Sequence, residues 1–133
     1  MPKAKQFSVR VENKPGELAR LAAALGQAGV NIRDYLACET KDASLIRFVV
    51  DSPAKAKRIF DRLAIDYTEE EVLVLELRDR PGALGEAAGR LAQAGINIDY
   101  AYGTFAPGAR RVSDVLAVAD LAGATKALRG LKT

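Results

Sequence analysis

One repeat constrains the fold of this chain more than any other feature of its sequence. Residues 13–18 read Asn-Lys-Pro-Gly-Glu-Leu, and residues 79–84 read Asp-Arg-Pro-Gly-Ala-Leu. Pro81 follows Pro15 by 66 positions, and about half of the residues are identical over the twenty positions that begin at each proline. In a chain of 133 residues, a repeat of this period predicts two units, which we place at residues 1–69 and 70–133.

The residue types restrict the chemistry that the chain can perform. Histidine is absent and Cys38 is the only cysteine, which argues against disulfide frameworks, zinc clusters and histidine-based catalysis. We therefore predict no enzyme activity, no metal and no cofactor. A net charge of +3 is too small to indicate a nucleic-acid partner. No apolar stretch approaches the ~18 residues of a membrane span, so we expect a cytoplasmic protein that binds neither nucleic acid nor membrane.

The first unit shows strand and helix patterns in the order βαββαβ. Phe7, Val9 and Val11 alternate with polar residues, which is typical of a strand with one buried face. Pro15 is expected at the first helical position and Gly29 at the helix end. Four apolar residues of this helix recur at the spacing of one face: Leu18, Leu21, Ala22 and Leu25. Further strands are predicted at residues 30–40, 44–50 and 65–67, with a second helix that begins after Ser52.

The second unit repeats this order but is expected to be one strand shorter. An apolar strand is predicted at residues 72–77, and the next helix carries the matching apolar residues Leu84, Ala87, Ala88 and Leu91. A hairpin turn is predicted within residues 104–111, followed by a strand at 112–119 and a helix at 120–131. No residues remain for a fourth strand, so we expect the order βαββα.

These patterns predict an α+β fold with two ferredoxin-like (βαββαβ) units side by side. Each unit is expected to be an antiparallel sheet with the strand order 4-1-3-2 and both helices on one face, and the second unit lacks its last strand. That absence leaves an apolar edge beside the strand at residues 72–77. Exposed edges of this kind are normally covered, so we expect the first unit's sheet or a second copy of the chain to pair there. Assembly is expected to depend on this edge.

The repeated turn also has the chemistry of an anion site. A helix N-terminus presents free backbone N–H groups and the positive end of its dipole, and Gly16 or Gly82 permits the close approach of a ligand. If these N–H groups bind the carboxylate of an amino acid, then Asn13, Asn31 or Asp79 can accept its ammonium group. A purely structural interpretation remains open, because Pro-Gly at a helix start and Gly-x-Asn at a helix end are common local turns.

Asn-Lys-Pro-Gly-Glu-Leu followed by Ala-Gly-Val-Asn-Ile resembles the ACT domain, a small amino-acid-binding regulatory module. The resemblance covers nearly the whole chain, in two copies. It implies a ligand at an interface between ACT units, with the turn of one unit facing the second-strand region of its neighbour. The residues that it assigns to the ligand sites are Asn13, Lys14, Pro15, Gly16, Asn31 and Ile32 in the first copy, and Asp79, Arg80, Pro81, Gly82, Asn97 and Ile98 in the second.

The resemblance implies a non-enzymatic sensor that binds a small amino acid, forms a homodimer or another homo-oligomer and regulates a partner enzyme. A Glu-Ser-Arg-Pro segment that part of the family links with phenylalanine is absent, which disfavours an aromatic ligand. Asp79 replaces Asn13, so the two sites are expected to differ in affinity. The alternative is an oligomerisation or interaction module without a small-molecule ligand. An acylphosphatase-like enzyme is a third reading, for which Arg80 beside Pro81 is a poor anion-binding arginine.

Overall fold

The computed structural model describes residues 3–104 and 107–131, and these form two compact units. One unit is Lys5–Glu70. The other contains residues 71–104 and 107–131 together with Lys3 and Ala4. Residues 105 and 106, within the predicted hairpin turn, lie outside the described part of the chain.

The unit Lys5–Glu70 has the order βαββαβ that its sequence predicts. Its elements are β1 (Lys3–Val11), α1 (Glu17–Gln27), β2 (Ile32–Glu39), β3 (Ser44–Val50), α2 (Pro53–Arg62) and β4 (Asp66–Arg78). The first residues of β1 and the last of β4 lie outside this unit. The strands are ordered β2-β3-β1-β4, and β3 is antiparallel to both β1 and β2. This order confirms the predicted split βαβ arrangement.

The other unit contains the second part of β4, α3 (Ala83–Gln93), β5 (Tyr100–Thr104), β6 (Arg111–Ala117) and α4 (Leu121–Ala127). β6 is antiparallel to β4 and to β5, and the strands are ordered β4-β6-β5. No strand follows α4 up to residue 131, the last described position, in agreement with the prediction. Asp120 begins α4 as its N-cap, where its side chain accepts a hydrogen bond of 2.8 Å from the backbone N–H of Gly123.

One expectation about β4 is wrong. The separate strands predicted at residues 65–67 and 72–77 form one strand of 13 residues, because neither glycine nor proline interrupts residues 66–78. The expectation that a further strand covers the apolar edge at residues 72–77, and that assembly depends on this edge, stays a prediction.

Each unit buries the apolar face of its own sheet beneath its own two helices. In Lys5–Glu70 the core is aromatic, with the ring of Phe60 at 5.4 Å from that of Phe7 and at 5.5 Å from that of Tyr67, between ring centroids. In the other unit the core is aliphatic, and its fully or almost fully buried leucines are Leu73, Leu75, Leu77, Leu91, Leu116 and Leu128. The two copies have therefore kept the architecture while changing the packing that stabilises it.

The predicted apolar stripes of α1 and α3 are wrong at their first leucine. The buried residues follow an i, i+4, i+8 line that begins one position earlier, at Glu17 in α1 and at Ala83 in α3. Leu18 and Leu84 stand beside this line and are 37% and 57% exposed. Because they occupy corresponding positions, both copies present a leucine to solvent immediately after the Pro-Gly turn.

The exposure of Leu84 predicts that two leucine truncations in α3 differ greatly in their effect on the free energy of unfolding. Leu91 is fully buried, so Leu91→Ala should lower the free energy of unfolding by about 2–5 kcal/mol. Leu84→Ala, the matched control in the same helix, should cost about 0.5 kcal/mol or less. Urea unfolding followed by circular dichroism measures both values. Equal losses would show that Leu84 packs in the core after all.

Candidate functional site

The repeated turn has the same backbone geometry in both copies. Gly16 and Gly82 are the N-caps of α1 and α3, with φ of 92° and 89°, a left-handed conformation that favours glycine. Neither helix has a side chain that caps its first N–H groups. Pro15 therefore precedes the cap and does not occupy the first helical position as predicted, because the left-handed Gly16 separates it from the helix. At the other end of α1, Gly29 has φ of 78°, as expected.

In the first copy, a carboxylate of the chain itself lies at the start of the helix. Glu17 is the first residue of α1 and is only 9% exposed. Its carboxylate lies 2.7 Å from Nη2 of Arg20 and 3.5 Å from Nζ of Lys14. The Arg20 hydrogen bond lowers the pKa of Glu17, against the opposing effect of desolvation. The positive end of the α1 dipole is thus already paired with a negative charge.

In the second copy, the corresponding position carries no charge. Ala83 replaces Glu17 as the first residue of the helix. The nearest acidic residue of α3, Glu86, forms an ion pair of 3.0 Å with Nη2 of Arg80. The side chain of Asp79 forms no ion pair within the described part of the chain. The first residue of α3 thus leaves the N–H groups of this helix without a competing carboxylate, whereas the negative charge of Asp79 in the same turn disfavours a second anion.

The structure places Asn13 and Asn31 at opposite ends of β2. Nδ2 of Asn13 donates a hydrogen bond of 2.9 Å to the carboxylate of Glu39, the last residue of β2. Asn31 precedes the first residue of β2, Ile32, and its backbone N–H donates to Oδ1 of Asp51 at 2.9 Å. Eight residues of extended strand separate the two ends by about 26 Å. The unit does not bring these two predicted ligand residues together.

The second unit separates its predicted residues in the same way. The backbone N–H of Asp79 donates to the carbonyl of Arg110, next to the start of β6, at 2.8 Å. Asn97 donates through Nδ2 to Oδ1 of Asp99, whose own N–H bonds to the carbonyl of Ala117 at the end of β6. Asn97 lies before the strand that follows α3, because β5 begins only at Tyr100.

The turn residues line cavities within each unit, but the asparagines that follow the helices do not line them. A depression of about 640 Å³ lies beside Asn13 and the β2–β3 hairpin. One of about 310 Å³ lies beside Lys14, Glu17 and Arg20. A third, of about 280 Å³, lies beside Asp79 and Arg80 and has mainly apolar walls. Ile32 and Ile98 instead pack, partly buried, against the cores of their respective units.

Among residues 3–104 and 107–131, no three histidine, cysteine, aspartate or glutamate side chains are grouped so that they could hold a metal ion. None of the described helices is both long enough and apolar enough to cross a membrane.

Two split βαβ units, each with a glycine-capped turn ahead of its first helix, define a tandem of ferredoxin-like domains. The ACT domain pair family matches residues 3–121, so the chain belongs to that family. ACT domains are regulatory, and the match indicates no catalytic family. No curated protein sequence matches the chain.

Solved structures share this fold. Protein BT0572 from Bacteroides thetaiotaomicron is similar with a TM-score of 0.88 and 24% identity, over 96% of this chain and 87% of that one. The ligand-free regulatory subunit of aspartate kinase from Thermus thermophilus has a TM-score of 0.69 and 14% identity, over 98% and 93%. The corresponding subunit from Thermus flavus has a TM-score of 0.68 and 13% identity, over 95% and 90%.

The environment of Glu17 predicts how the first turn responds to acid. Because the pKa of Glu17 is lowered in the folded protein, its contribution to stability is complete above its ordinary pKa of 4.5 and is lost as the pH falls through the folded value. Arg20→Gln removes the largest cause of the shift, so the pKa of Glu17 should rise and this acid-dependent loss of stability should shrink.

NMR titration of the Glu17 side-chain carboxyl measures that pKa directly. Arg58→Gln, which removes an exposed arginine from α2, is the control and should leave the pKa of Glu17 unchanged. An unchanged pKa in Arg20→Gln would contradict the assignment of Arg20 as the main partner.

Proposed function

We propose that this protein is a cytoplasmic, non-enzymatic sensor that binds a small amino acid and regulates a partner enzyme. The observation that carries the proposal is the separation of the turn from the asparagine in each unit. A ligand that touches both kinds of residue needs them from different units. We propose that a second copy of the chain supplies the complementary half, so that the ligand joins two copies in a homodimer.

The chemistry of the half-sites supports an α-amino acid. The N–H groups that begin α3 suit a carboxylate, and Ala83 leaves that position without a competing charge. The side-chain amide of Asn31 makes no hydrogen bond within the described residues, so its oxygen can accept a hydrogen bond from an ammonium group. We expect the second turn, with Asp79, Arg80, Pro81 and Gly82, to bind more tightly than the first turn, with Asn13, Lys14, Pro15 and Gly16. The similar fold of an aspartate kinase regulatory subunit supports a role in enzyme regulation.

A second candidate function is an interaction module without a small-molecule ligand. The exposed leucines Leu18 and Leu84 favour it, because an apolar side chain beside each turn suits a protein surface as well as a ligand. Dimerisation that persists without any amino acid, together with an absence of ligand response, would support this alternative over the sensor.

The sensor predicts that at least one amino acid stabilises the protein against heat. A ligand at 100 times its dissociation constant should add about 2.7 kcal/mol to the free energy of unfolding. A thermal-shift screen of the common amino acids measures the effect. The double variant Asn31→Ala/Asn97→Ala should lose most of it, whereas Lys55→Ala, an exposed change on α2, should retain it. A screen that is flat for every amino acid would reject the sensor.

Sharing of the site between copies predicts complementation of two inactive variants. Asn13→Ala/Asp79→Ala removes the exposed polar side chains of the two turns, at positions where the backbone does not require glycine. The second variant, Asn31→Ala/Asn97→Ala, alters only the asparagine half of each proposed site. Each variant alone should fail to bind the amino acid that scores in the screen, because each of its sites keeps one defective half.

Refolding the two variants together forms mixed dimers. In each mixed dimer, one site combines the intact turn of one copy with the intact asparagine of the other copy. Calorimetric titration of the mixture should recover about a quarter of the wild-type binding capacity. Mixing the variants without unfolding them, where the subunits do not exchange, is the control. An absence of recovery after refolding, with dimers present, would contradict sharing between copies.

A further inference from the structure

The two units differ at one position that faces the helices from the middle of the sheet. In Lys5–Glu70 this position is Ile46 of β3, which lies opposite Val9 of β1 and Ala37 of β2. Ile46 is 2% exposed and belongs to the hydrophobic core. An apolar side chain is the ordinary choice for such a position.

In the other unit the same position holds a carboxylate. Asp114 of β6 lies opposite Leu75 of β4 and Gly103 of β5, and these three residues correspond to Ile46, Val9 and Ala37. Asp114 is half-buried, whereas its partner Leu75 is a buried core residue. Placing a charge here costs stability unless the charge is paired or bound, and Asp114 does have an interaction within the protein.

The neighbour of Asp114 has changed together with it. A Cβ atom added to Gly103 would lie 2.5 Å from Oδ1 of Asp114, a distance too short for any contact. The carboxylate thus occupies the space that the methyl group of Ala37 takes in the first unit. With aspartate where the first unit has isoleucine, and glycine where it has alanine, the second unit has room for a carboxylate at this position.

This carboxylate lines the cavity of about 280 Å³ described above. Its walls are mainly apolar by area, and besides Asp114 they include Leu77, Ala83, Leu84, Gly103 and Val112 together with the polar residues Arg78, Asp79 and Thr104. The turn residue Arg80 also borders the cavity, but its guanidinium is paired with Glu86 at 3.0 Å. An aspartate accepts up to about four hydrogen bonds, so Asp114 can keep contacts within the chain and still receive a ligand.

We propose that this cavity binds a primary ammonium group on a short apolar stem, with the ammonium at Asp114 and the stem between Leu77, Leu84 and Val112. The cavity offers two carboxylates, those of Asp79 and Asp114, which are fewer oxygen ligands than a metal ion requires. This inference rests on the proposed function, because Asp79 and Arg80 border both this cavity and the proposed amino-acid site at the second turn. It adds that the second unit selects a ligand with a positively charged side chain.

Two small probes test the cavity without requiring any amino acid to bind. n-Butylammonium carries the charge, and n-butanol has the same stem without it. In titrations followed by the amide NMR signals of Gly103, Val112 and Asp114, the wild type should bind n-butylammonium about tenfold more tightly than n-butanol, because its hydrogen bond is charge-assisted.

Variants at Asp114 and Gly103 identify the group that is responsible for the preference for n-butylammonium. Asp114→Asn should abolish the preference for n-butylammonium, and Gly103→Ala, which restores the residue type of the first unit, should weaken its binding by displacing the carboxylate. Asp42→Asn, in the exposed β2–β3 turn of the other unit, should change neither result. Well-dispersed spectra with the wild-type thermal midpoint confirm that each variant is folded.

The outcomes separate this inference from the proposed function. Equal binding of the two probes by the wild type, or an unchanged preference in both Asp114→Asn and Gly103→Ala, would overturn the cation site. If no amino acid stabilises the protein in the thermal-shift screen but the preference for n-butylammonium depends on Asp114, the sensor is rejected and the cation site in the cavity is supported. If amino acids bind, lysine should bind about tenfold more tightly than norleucine, its analogue without the side-chain ammonium.

Discussion

The left-handed glycine in each Pro-Gly turn is the constraint on which the rest of each unit depends. It reverses the chain direction after the first strand and begins the helix one residue later, at Glu17 or Ala83. This starting point fixes the rotation of the helix, so that the line through Leu21 and Leu25, or through Ala87 and Leu91, faces the sheet. The same rotation presents Leu18 and Leu84 to solvent, and it leaves the first N–H groups of each helix without a capping side chain.

Much of the fold could be predicted because the repeat, the strand alternation and the turn residues all indicate one topology. The strand order and the glycine at the end of α1 follow from those patterns. The continuity of β4 could not be recognised, since the polar residues 66–71 look like a boundary when only hydrophobicity is considered. The exposure of Leu18 and Leu84 could not be predicted for a different reason. The spacing of apolar residues indicates the helical period, but it does not indicate at which residue the buried face of the helix begins.

The candidate site was predictable in residue type and less so in arrangement. The turn and Asn31 could be named from the sequence, yet their positions at opposite ends of β2 follow from the length of that strand. The two aligned turns differ at Glu17 and Ala83, but the position of these residues at the helix start follows only from the structure. The contrast between Ile46 and Asp114 could not be read from the repeat, because strand register is needed to place Asp114 opposite Gly103.

The strand β4 has a consequence for how such a chain can be divided. The boundary between the two units, at Glu70 and Glu71, falls inside a hydrogen-bonded strand and not in a loop. A protease acts best on an exposed, flexible segment, whereas Glu70 and Glu71 lie within a strand. Either half produced alone would also begin or end within a strand whose continuation it has lost. Dividing the chain at this boundary would therefore interrupt β4, although each half has its own core.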